Sequence, residues 1–156
     1  MAKEPEFDLQ VAHRYFSATC FNQAWELIDK PERTAEEDEA MVQLSLASTW
    51  HWTQREDCTP ANLSIGYWQT ARIYTLIGQV GNARYYAQRC LTTCLEAELP
   101  PFYTAYAYEA LARAEATAGN VEKSKEYLAS AQKETQRVVD EDSRKMLLAD
   151  LATIAD

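Results

Sequence analysis

The chain has 156 residues, of which 25% are charged and 47% hydrophobic, and a formal net charge of −9. That length suits one domain able to bury its own core. Four glycines and five prolines are too few to turn a many-stranded sandwich or barrel, so long helices are expected. The acidic balance argues against a nucleic-acid surface and against attraction to anionic lipid.

No apolar run approaches the roughly 20 residues of a bilayer span. Met1 to Phe7 carries no apolar leader segment, so a cytoplasmic location is expected. Cys20, Cys58, Cys90 and Cys94 do not form the pattern of a disulfide framework. Cys90 and Cys94 lie one helical turn apart and read as buried thiols, since zinc sites use four ligands at closer, paired spacing. No metal and no cofactor is expected.

Phe7 to Lys30 reads as the first helix, with Phe7, Val11, Tyr15, Ala18, Phe21, Trp25 and Ile28 recurring at steps of three or four. Pro31 ends it. Thr34 and Glu37 form a capping box, and the acids from Glu36 to Glu39 suit the positive end of a second helix, expected to run to about Asp57. Thr59-Pro60 starts a third, which Gly78 closes. Gly66, inside it, marks a close backbone approach. A fourth helix is expected after Gly81-Asn82, reaching about Leu99. A fifth follows Pro100-Pro101 and reaches Ala118, and a sixth runs from Val121 to about Val139. A seventh is capped by Asp140 to Asp142, with Met146, Leu147, Leu151 and Ile154 as its apolar face. Loops of about two to five residues make successive helices alternate in direction.

Two stretches repeat without gaps at an offset of 41 residues. Tyr67 falls on Tyr108, Ala71 on Ala112, Arg72 on Arg113, Gly78 on Gly119, Val80 on Val121 and Ala83 on Ser124. Small residues let paired helices approach, and glycine allows the tight turn between them. An aromatic, a small residue four later, a turn glycine and another small residue five later resemble the tetratricopeptide repeat. Tyr127, Leu128 and Ala131 extend the match, which covers about residues 61 to 138. The offset exceeds the family's usual length of about 34 residues, Glu115 stands where the family prefers tyrosine, and the closing proline is displaced or missing.

The resemblance implies an all-α stack of about seven antiparallel helices in a short right-handed superhelix. It would form one domain over 1–156, with a divergent first pair at 7–57, pairs at 61–99 and 101–138, and a capping helix at 140–156. Trp25 to Thr34, with His51-Trp52, is also similar to small bacterial proteins of this repeat-like type, a resemblance that implies no activity.

In such stacks the first helix of each pair lines a concave groove. By position, that places Trp68, Arg72, Tyr106, Glu109 and Arg113 in the groove. Two equivalent guanidinium groups can grip a carboxylate or phosphate, which suits the acidic end of a peptide or a small anion. The alternative is that Arg72 and Arg113 bridge to Glu109 and Glu115, with Trp68 in the core. Trp50-His51-Trp52 is the densest aromatic cluster, and on a helix at most two of the three share a face. His13 and His51 are the only histidines, so a multi-histidine metal site is not expected. No nucleophile can be set beside His51 from sequence, and no phosphate-cradling glycine loop appears.

Three functions follow. The first is a non-catalytic adaptor binding a protein or peptide on its concave face. The second is a small-molecule binder or cryptic enzyme with an aromatic pocket near His51, Trp52 and Trp68. The third is a structural homodimer that covers the exposed ends of a short stack.

Overall fold

The computed structural model describes residues 3–154. Among these residues it contains seven α-helices and no strand: α1 (Leu9–Ile28), α2 (Ala35–Thr53), α3 (Pro60–Leu76), α4 (Val80–Glu96), α5 (Pro101–Thr117), α6 (Val121–Gln136) and α7 (Glu141–Leu151). Each helix packs on the next. The α1–α2, α3–α4 and α5–α6 contacts are the most extensive, α3 also rests on α5, and α7 closes over α5 and α6.

The starts follow local chemistry. Asp8 Oδ1 accepts from the backbone of Gln10 and Val11, which sets α1 two residues later than expected. Thr34 and Glu37 form the reciprocal capping box of α2. Thr59 caps α3, with Pro60 at its first position.

Other boundaries also differ from the sequence reading. The fourth helix starts at Val80, before Gly81 and Asn82. Gly78, at φ +76°, completes the reversal, and Gln79 N–H already reaches Tyr74 O at 2.9 Å. Gly81 therefore falls in the first turn, where backbone donors need no helical partner. The second helix ends at Thr53 rather than near Asp57, because Arg55 folds back to clasp Asp57 at 2.7 and 2.8 Å. The sixth ends at Gln136, since Val138 leaves the helical path to bury itself against Ala105 and Leu147.

The repeat is visible in atomic detail. Gly119 at φ +79° copies Gly78, and Asn120 N–H to Glu115 O copies the Gln79 bond at the same 2.9 Å. Tyr67 packs on Tyr86 at 6.3 Å between ring centres, and Tyr108 on Tyr127 at 6.4 Å. Gly66 does mark a close approach. A Cβ there would sit 2.6 Å from Thr49 Oγ1 of α2.

The main core lies between α3, α4 and α5, around Tyr67, Ala71, Cys90, Cys94, Ala107 and Leu111. A second cluster, around Ala24, Met41 and Ile73, joins α1, α2 and α3. The apolar series expected on α1 divides. Phe21, Trp25 and Ile28 are partly buried, whereas Phe7, Val11, Tyr15 and Ala18 face solvent.

Candidate concave groove

The odd-numbered helices share one side of the stack and enclose an open cavity of about 350 Å³. Trp25 comes from α1, Ser64, Ile65 and Trp68 from α3, Phe102, Tyr103 and Tyr106 from α5, and Met146 and Asp150 from α7. Cys90 of α4 reaches it from behind. Five aromatic rings stand in this wall. Trp68 is central, 5.5 Å from Trp25 and 5.2 Å from Tyr106 between ring centres.

The five residues singled out by sequence all meet here, in two roles. Trp68 and Tyr106 line the cavity. Glu109, only 1% exposed, gathers the others. Its Oε2 accepts from Trp68 Nε1 at 2.8 Å, and its Oε1 accepts from Arg113 Nε at 2.6 Å and Arg72 Nη1 at 3.4 Å. Arg113 Nη2 also donates to Asp150 O at 3.1 Å and Thr153 Oγ1 at 2.9 Å. Tyr106 donates its hydroxyl to Asp150 Oδ2 at 2.6 Å.

The two guanidinium groups thus converge on a carboxylate of the chain itself. With Asp150 included, two positive groups face two negative ones, and the network carries no net charge. What it does is hold the polar ends of Trp68 and Tyr106 so that their rings stay fixed in the wall. Burial and the Asp150 carboxylate push the Tyr106 phenol far above its usual range, so it stays a neutral donor. Burial and then the neighbouring Arg113 lower the Arg72 guanidinium from its ordinary value. Arg72 Nε is buried and has no acceptor.

Glu115 takes a different partner from those expected. Arg84 of α4 binds it with two bonds, at 2.6 and 2.9 Å, and Asn120 adds a third at 2.7 Å. Tyr74, at the equivalent place one repeat earlier, instead stacks on Tyr86 at 5.8 Å. Glu115 therefore replaces an aromatic contact with an ionic clasp between the two repeats.

Cys90 Sγ donates to Ser64 O at 3.2 Å. Its hydrogen bond with Cys94 and its burial push the thiol up, away from the thiolate that a nucleophile needs.

His51, Trp52 and Trp68 do not share a cavity. Trp52 lies under the Arg55 guanidinium, 3.7 Å from its ring centre, beside a small hollow between α1 and α3. His51 turns to α1, where its Nδ1 lies 2.8 Å from His13 Nδ1. Burial and the neighbouring His13 lower the His51 pKa. Phe16 stacks on this imidazole at 5.3 Å, and Trp50 meets it edge-on at 4.9 Å.

Trp25, Phe102, Tyr103 and Met146 were not read as groove residues. Each lies on an odd-numbered helix, and Trp25 and Met146 were read only as part of the apolar faces of the first and seventh helices. The described residues hold no group of three or more His, Cys, Asp or Glu side chains placed for a metal ion. No described helix is long and apolar enough to cross a membrane.

No protein-family model matches the chain, no curated protein matches it, and no solved structure matches it.

Proposed function

We propose that this protein is a tetratricopeptide-like binding module whose concave groove takes an apolar segment of a partner polypeptide. The observation that carries the reading is the aromatic wall. Five rings from three helices surround an open cavity of about 350 Å³, at the lower end of the roughly 300–1,000 Å³ common for ligand sites. Aromatic walls contribute large contact area at little entropic cost, because their side chains have few torsions to fix. Here the fixing is already done by Glu109 and Asp150.

Binding fits the chemistry better than catalysis. Three polar groups at the wall are engaged within the chain: Trp68 with Glu109, Tyr106 with Asp150, and Cys90 with Ser64. An acidic group on the partner would find both arginines already paired with Glu109. Apolar side chains are therefore the main determinant. The four cysteines are free, which suits the reducing cytoplasm as the site of action.

The test is selection from a random twelve-residue peptide display library. Peptides with two or more large apolar side chains should be enriched on the wild-type protein. Ile65→Glu/Met146→Glu places charge at two partly exposed wall positions and should weaken the selected peptides at least tenfold. Enrichment of acidic peptides without apolar residues, or equal binding by the variant, contradicts the reading.

A further inference from the structure

Among the described residues that line the groove cavity, Asp150 alone carries a formal charge, and no basic side chain lines it. Tyr106 donates to Asp150 Oδ2 at 2.6 Å, and Oδ1 takes no part in that bond. The rings around it stand as panels rather than as a stack. Trp68 meets Tyr106 at 68°, Tyr106 meets Phe102 at 75°, and Phe102 meets Tyr103 at 90°. The face of each ring carries the negative part of its quadrupole. The two central rings also donate to carboxylates, Trp68 to Glu109 at 2.8 Å and Tyr106 to Asp150. Donation to an anion pushes electron density into the ring and makes its face more negative. Aromatic panels with a carboxylate among them favour a cation, and the net charge of −9 attracts one from a distance.

The lining also selects the kind of cation. Lysine brings several N–H donors and arginine more, and a donor buried without an acceptor is costly. Trp25, Ile65, Phe102 and Met146 offer carbon and sulfur rather than oxygen to such donors. A trimethylated ammonium keeps its charge, has no N–H to satisfy and presents methyl groups that pack on aromatic faces. It meets the apolar requirement of the groove and the charge of Asp150 together.

We infer that the groove holds the trimethylammonium group of a methylated lysine on the bound segment, against the rings of Trp68 and Tyr106 and beside Asp150. The inference rests on the groove being a polypeptide site, and adds a charge requirement to its apolar one.

Isothermal titration calorimetry of the wild-type chain with three probes tests the site. The first is a leucine–trimethyllysine–leucine tripeptide blocked at both ends. The second carries a tert-butyl group in place of the trimethylammonium, the same shape without the charge. The third is choline. The charged tripeptide should bind about tenfold more tightly than the neutral one, and more tightly than choline. Asp150→Asn keeps an acceptor for Tyr106 and removes the charge, so it should reduce the preference and leave the affinity of the neutral tripeptide unchanged. Equal or tighter binding of the neutral tripeptide overturns the inference and leaves the apolar groove standing. Binding of neither tripeptide overturns both. Choline bound as tightly as the charged tripeptide overturns the assignment to a polypeptide, and a preference undiminished in Asp150→Asn overturns the role of that carboxylate.

Discussion

Trp68 and Glu109 stand at the same position of successive repeats, 41 residues apart, and their side chains are hydrogen-bonded at 2.8 Å. A repeat that places a tryptophan in one copy and a carboxylate in the next creates a bond along the stack that neither copy could make alone. The same register brings Arg72 and Arg113, also equivalent, to the one carboxylate. This joint between α3 and α5 is where the groove wall obtains its rigidity.

Removing Glu109 should therefore be severe. Glu109→Ala leaves two largely buried guanidinium groups with Asp150 as the nearby counter-charge that remains, and a broken buried pair costs about 3–5 kcal/mol. Trp68→Phe keeps an aromatic ring but shortens it and forfeits one charge-assisted bond, which should cost roughly 1.5–3 kcal/mol. Urea unfolding of both variants checks the order. A Glu109→Ala loss below that of Trp68→Phe contradicts the account.

Gly66 gives a packing test. A methyl group there meets Thr49 Oγ1 at 2.6 Å, and that hydroxyl is held where it is by its bond to Ser45 O at 3.1 Å. Overpacking costs about 1–3 kcal/mol, which should exceed the roughly 1 kcal/mol that alanine gains in helix propensity. Gly66→Ala should lower the midpoint of thermal unfolding, and adding Thr49→Ala should restore it. A stabilised single variant would show that the helices can separate freely at this point.

The histidine pair predicts a pH dependence. Two neutral imidazoles can share a bond, one donating and one accepting, and so can one neutral and one protonated ring. A second proton leaves two donors facing each other at a separation of 2.8 Å. Burial and His13 hold His51 below its ordinary 6.5. A base with a lowered folded pKa binds more protons when unfolded, so stability rises with pH through this window. The contribution is whole above the unfolded value and declines as pH falls through it towards the folded one. Unfolding free energy should drop between about pH 7.5 and 5.5, and His13→Asn/His51→Asn should flatten the profile. A flat wild-type profile contradicts the pairing.

Much of the architecture was legible because it is written in local chemistry. Thr34, Thr59 and Asp140 announce helix starts, and the glycines at 78 and 119 announce turns that the structure makes with matching bonds. The start of α4 was misplaced because Gly81-Asn82 looks like a turn, while the turn had already been completed by Gly78. Of the site, the pairing of Arg113 with Glu109 follows from one helical turn, and that of Arg72 from the repeat. Asp150 and Thr153 could not be found that way, since it is the fold of α7 across α5 that brings them to Arg113. His13 and His51 meet across 38 residues with no periodic signal. The apolar period of α1 was read correctly as helical, but period alone does not say which side faces inward, and over Val11 and Tyr15 the outward side is the apolar one.

The central claim, a preformed apolar groove, is tested most directly by titrating the isotopically labelled protein with indole and following amide and indole N–H resonances. The account predicts saturable shifts confined to the wall, at Trp25, Trp68, Tyr103 and Met146, and their loss in Ile65→Glu/Met146→Glu. Shifts centred instead on Trp50 and His51, or none at all up to the solubility limit of indole, would contradict it.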